Sequence, residues 1–106
     1  MPKFLIQASY TAEGAKGLLK DGGTKRRLAA ESGIKNAGGS MEAFYFALGD
    51  ADAYVIVDAP DYATVAAASI AINASGAVNT KTIALLSPED IDNAVKKTVN
   101  YRAPGQ

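Results

Sequence analysis

The sequence predicts one α+β domain with the order βαββαβ, a ferredoxin-like plait, followed by an extra C-terminal helix. Three observations carry that prediction. Strand-like runs occur at 3–10, 41–48, 53–59 and 78–86, with side chains assigned to two faces by the period of two. Capped stretches of helical spacing separate the first run from the second and the third from the fourth. The two middle runs are joined only by Gly49-Asp50-Ala51-Asp52, which makes them a hairpin. At 106 residues the chain fits one core, read as a domain over 1–98 with a tail over 99–106.

In the first strand Phe4, Ile6, Ala8 and Tyr10 share one side, and Leu5, Gln7 and Ser9 share the other. Thr11 then caps a helix, with Glu13 in its electropositive first turn. Ala15, Leu18 and Leu19 lead into Asp21-Gly22-Gly23, where two adjacent glycines cost a helix roughly 2 kcal/mol against alanine, so a kink is expected. Leu28, Ala29 and Ile34 resume the helical spacing, and Gly38-Gly39 closes it. The second strand is aromatic, with Phe44, Phe46 and Leu48 on one side and Met41, Ala43, Tyr45 and Ala47 on the other. The third, Tyr54-Val55-Ile56-Val57, is apolar on both sides, as suits a central strand. Pro60 ends it and Asp61 caps a second helix whose stripe reads Tyr62, Val65, Ala66, Ser69, Ile70 and Asn73. After the fourth strand, Ser87-Pro88-Glu89-Asp90 opens the last helix, with Ile91, Ala94 and Val95 as its apolar face.

Right-handed crossovers put the first two helices on one face of a four-stranded antiparallel sheet. The second and third strands are apolar on both sides, so the uncovered face carries a larger apolar patch than a soluble monomer exposes. Two such sheets packed across a two-fold axis remove it, which predicts a homodimer.

Eleven basic residues balance eleven acidic ones. No overall field draws the chain to nucleic acid or to an anionic membrane, and the run Lys25-Arg26-Arg27 reads as a solvated helix face. The absence of cysteine and histidine excludes thiolate and imidazole chemistry, disulfides and the commonest transition-metal ligands. No cofactor or metal is expected, nor a membrane span, and the default compartment is the cytoplasm.

The chain resembles the GYD domain family from Phe4 to about Val95. The carriers are Tyr10-Thr11-Ala12-Glu13-Gly14, Gly38-Gly39, Phe44-Tyr45, Gly49 to Asp52, Asp58-Ala59-Pro60-Asp61 and Ala74-Ser75-Gly76. Ala51 stands where the family's naming tyrosine would fall, so the Gly-Tyr-Asp motif is eroded here. The resemblance implies a dimeric α/β barrel. It implies no activity, the family being one of unknown function.

Candidate chemistry is sparse. Asp50, Asp52 and Asp58 could hold a hard cation or act as general bases; the competing reading is a hairpin turn stabilised by aspartate, with Asp58 at an exposed strand end. Gly14, Gly17, Gly22 and Gly23 do not make a phosphate loop, because no G-x-x-x-x-G-K-[ST] pattern occurs. Gln7, Ser9, Tyr45, Tyr54, Asp58 and Lys81 are the candidates for a ligand cavity with apolar walls and a few polar groups; the competing reading places them in the dimer seam or in solvent. Three functions follow: a small-molecule-binding or sensing homodimer with its site between helices and sheet or between sheets, a cofactor-independent isomerase or oxygenase by analogy with dimeric α/β barrels, or an assembly module without a ligand.

Overall fold

The computed structural model describes residues 1–106. Its elements are β1 (Lys3–Tyr10), α1 (Ala12–Asn36), β2 (Ser40–Phe46), β3 (Ala53–Asp58), α2 (Tyr62–Ala74), β4 (Val78–Leu85) and α3 (Pro88–Val95). The strands form one antiparallel sheet in the order β2-β3-β1-β4, the arrangement that two βαβ crossovers around a central hairpin produce. The ferredoxin-like layout is therefore as the sequence predicts.

Local chemistry sets the helix ends. The Thr11 hydroxyl accepts from the Gly14 N–H at 3.3 Å, and the Asp61 carboxylate accepts from the Thr64 N–H at 2.8 Å. Ser87 and Asp90 form a reciprocal capping box at the start of α3. α1 breaks at Gly22, whose φ of 79° lies in the left-handed region that a side chain disfavours.

α1 and α2 cover one face of the sheet. Phe4 and Ile6 of β1, Val55 and Val57 of β3, Ile34 of α1 and Val65 of α2 pack there with Ala59. Ala8, Ala53 and Val78 continue the core towards the far end. Only 11 of the 106 residues are buried and every one is apolar. With one face covered, the core is a single thin layer.

Three side-chain assignments differ from the periodic reading. A bulge between Met41 and Ala43 shifts the pairing, so Met41 lies opposite Val57 on the helix face with Phe44, while Ala43 and Tyr45 stay on the other. In α2 the sheet-facing stripe is Val65, Ala68, Ser69 and Ile72, leaving Tyr62, Ala66 and Ile70 exposed. In α1 only Ile34 is fully buried, and Leu19 and Leu28 face solvent. Alanine is apolar enough to extend a stripe in either direction, so periodicity alone misplaced both helix faces by a residue or more.

Beyond β4 every residue from Leu86 to Gln106 is exposed. This arm stretches the molecule to 56 × 32 × 23 Å with a radius of gyration of 16.9 Å. A compact domain of this length has about 13 Å.

Candidate functional site

The uncovered sheet face is organised in rows. Residues directly opposite in an antiparallel pair project to the same side, so each row runs across all four strands. One row is Tyr45, Tyr54, Gln7 and Lys81. The next is wholly apolar: Ala43, Ile56, Leu5 and Ile83. The third places Asp58 beside Lys3, with Ser40 and Leu85 outside them. Ser9 lies opposite Asn79 beyond the polar row.

All six sequence-predicted ligand residues thus project from this face, but they do not form one cluster. Gln7, Tyr45, Tyr54 and Lys81 stand in one row, with Ser9 one step beyond. Asp58 is four residues from Tyr54 along β3, roughly 13 Å at strand rise, on the far side of the apolar row. Lys81 is exposed and joins no ion pair; Tyr45 is 72% exposed. Tyr54, Gln7, Leu5 and Ile56 are half-buried by their neighbours in the sheet alone.

Asp58 has a partner that the sequence reading did not supply. Lys3 Nζ donates to Glu42 Oε2 at 2.8 Å and to Asp58 Oδ1 at 2.9 Å. The hydrogen bonds it donates to Glu42, then to Asp58, raise the Lys3 ammonium above its ordinary value. The antiparallel register of β1 and β3 sets Lys3 opposite Asp58, and Glu42, at the bulge of β2, reaches Lys3 from the far side of β3.

The aspartates do not converge. The Asp52 carboxylate accepts from the Tyr10 N–H at 2.8 Å, its own N–H donates to the Ala8 carbonyl, and its carbonyl accepts from the Ala47 N–H. Asp50 is exposed and Asp58 is paired with Lys3. No group of three acidic side chains is placed to hold a metal ion. Asp52 is thus a clasp that fixes the hairpin turn to the end of β1.

The remaining motif residues form two knots at opposite ends of the sheet. At one end, Thr11 donates through its N–H to the Ala77 carbonyl and through its hydroxyl to the Gly76 and Ala77 carbonyls, beside the Asp52 clasp. Gly14 is required there, since a Cβ on it would sit 2.0 Å from the Ala77 oxygen. Ala51, in the tyrosine's place, is buried in this turn. At the other end, Gly39 passes so close to β3 that a Cβ would lie 2.7 Å from the Asp58 carbonyl. The motifs tie loops to strands; they do not assemble reactive groups.

Fold and face together define a ferredoxin-like α+β protein with one helix-covered and one open sheet surface. The family model of the GYD domain matches residues 4–95, and the chain belongs to that family. No curated protein and no solved structure matches the chain. No helix is long and apolar enough to cross a membrane.

Proposed function

We propose that the protein is a homodimer that binds a small molecule between two copies of the open sheet face. The observation that carries this is the unbroken apolar row Ala43-Ile56-Leu5-Ile83, flanked on one side by the polar row and with no layer over it. Accessible area supports it. The chain exposes 7453 Å², roughly 1,900 Å² more than a folded monomer of its mass. A standard interface removes about 800 Å² from each partner. The excess is large enough to supply one, with the arm included in it.

Face-to-face packing sets the apolar rows against each other and leaves the polar rows to line what space remains. Such a cavity has apolar walls and a few fixed polar groups, the usual make-up of a small-molecule site. Tyr54 and Gln7 offer donors and acceptors, and Lys81 an unpaired charge for an anionic or carbonyl group. Val95, Val99 and Tyr101 of the arm are exposed apolar side chains as well.

Sedimentation equilibrium at micromolar concentration tests the assembly: a two-copy species is expected, and a monomer overturns it. Ile83→Asp, which puts a carboxylate in the apolar row, is expected to give a folded monomer. Mass spectrometry of denatured, freshly purified protein tests the binding: a retained small molecule, lost in Tyr54→Phe/Gln7→Ala, is expected. A two-copy species that retains none, and whose stability no added metabolite pool changes, overturns that half.

A further inference from the structure

The opposite side of the sheet carries a second feature. Between α1, α2 and the sheet lies an open-mouthed cavity of ≈ 210 Å³ whose floor includes Ile6, Ala8 and Val55, with the exposed Gly33 and Ala71 at its rim. Its size follows from residue choice. Where helix meets helix across a filled core, leucine and isoleucine interdigitate. Here the helix walls are largely small, with Ala30 and Gly33 on α1 and Ala68 and Ala71 on α2, while Leu19, Leu28 and Ile70 of the same helices point to solvent. The space is therefore left open by small residues rather than by a shortage of large ones.

One charged group lines this chamber. Arg26 is half-buried, its guanidinium lies 5.9 Å from the centre of the Tyr10 ring, and it joins no ion pair. Its Nε is fully buried and has no hydrogen-bond partner. The terminal nitrogens have no protein partner either and are not fully buried, so the guanidinium keeps free donors for an anion at the only charged position in the lining. Guanidinium geometry suits a carboxylate, which takes two parallel hydrogen bonds.

We infer that this cavity binds a monocarboxylate with a compact apolar body, its carboxylate on Arg26 and its body over Ile6, Ala8 and Val55. The volume sets the size. An apolar cavity of about 150 Å³ admits benzene, so this one takes roughly ten non-hydrogen atoms, a medium-chain or phenyl-substituted acid. The site is built within one chain and lies on the face turned away from the proposed dimer seam.

Octanoate and 3-phenylpropionate are suitable probes, with 1-octanol as the uncharged control, followed by amide chemical shifts and calorimetry. Octanoate is expected to shift the amides of Ala30, Gly33 and Ala71 and to leave those of Tyr54 and Ile83 in place. Arg26→Gln is expected to weaken octanoate tenfold or more, on the order of one charge-assisted pair, with 1-octanol affinity little changed. Ala71→Leu, which fills the chamber, is expected to abolish binding of both probes and to raise Tm. The Ile83→Asp variant is expected to bind octanoate as the native chain does, which separates this site from the one between sheets. Absence of shifts at millimolar octanoate, shifts confined to the open face, or equal octanoate affinity in Arg26→Gln would each overturn the inference.

Discussion

β3 carries two surfaces on six residues. Ala53, Val55 and Val57 are at most 5% exposed beneath the helices, while Tyr54, Ile56 and Asp58 on the same backbone are only half-buried. Ile56 is as apolar as Val57, so residue type does not explain the difference; the presence of a covering layer does. The helix face is held by chain connectivity, because each crossover must return over it. No segment of the chain returns over the open face. Apolar residues there contribute little to folding the isolated chain and are free to stabilise an association.

Adjacent substitutions on the two faces break this comparison most sharply. Val57→Asp places an unpaired carboxylate under the helices and is expected to cost about 4 kcal/mol or more, enough to unfold a small domain. Ile56→Asp is expected to change the stability of the single chain by less than about 1 kcal/mol and to abolish the two-copy species. Urea unfolding followed by circular dichroism reads the first, sedimentation the second. Equal losses in both variants would mean that the faces are not distinct.

A milder pair lies on β1. Phe4 is 2% exposed and its ring meets Tyr62 edge-on at 5.7 Å, so Phe4→Ala is expected to cost about 3–5 kcal/mol at any protein concentration. Leu5→Ala is expected to cost the isolated chain much less, since Leu5 is only half-buried there, and to lower Tm further as rising concentration brings copies together. A concentration-independent loss in Leu5→Ala would put that side chain in the fold rather than in the interface.

Two glycines of α1 sharpen the role of the motif knots. Gly14→Ala drives a methyl into the Ala77 carbonyl and is expected to destabilise by about 2 kcal/mol. Gly17 has nothing within 4 Å of its missing Cβ, so Gly17→Ala is expected to stabilise by about 0.5–1 kcal/mol through helix propensity. Thermal unfolding of the two variants side by side checks both signs.

The strands, the caps and the kink were legible in the sequence because each depends on local chemistry. Thr11, Asp61 and Ser87 announce helix starts, and Gly22-Gly23 announces a break wherever it stands. The side of its own strand that Gln7 or Tyr54 takes was legible too, since strand parity needs only the period of two, whereas the parity of β4 leaves Lys81 open. The row that aligns them was not, because register between β1, β3 and β4 is a long-range property. The bulge at Met41 hid Glu42 from Lys3 for the same reason. Within the basic run, Arg26 alone is half-buried, where Lys25 and Arg27 are exposed. What distinguishes it from Lys25 and Arg27 is the ring of Tyr10 and the small residues of α2, Ala68 and Ala71, all more than ten positions away in the sequence.

The smallest effect concerns the charged row at the edge of the open face. Lys3 is raised above its ordinary 10.5 by Glu42 and Asp58, so its contribution is complete below that value and is lost as pH rises through the higher folded value. Asp61, lowered below 3.8 by the N–H and hydroxyl of Thr64, contributes above 3.8 and loses that contribution as pH falls. Thermal unfolding against pH is therefore expected to show a slight alkaline decline that Lys3→Met removes, and an acid decline that Asp61→Asn reduces. Salt turns the alkaline limb into a probe of the face. In an isolated chain the Lys3 side chain is 48% exposed, and salt that shortens the screening length to a few ångströms weakens its pairs. If a second copy covers the open face, the same pairs are held further from water and the alkaline limb loses its salt dependence. A limb that salt erases equally at low and high protein concentration would place Lys3 outside the seam, confining the interface to the apolar and polar rows.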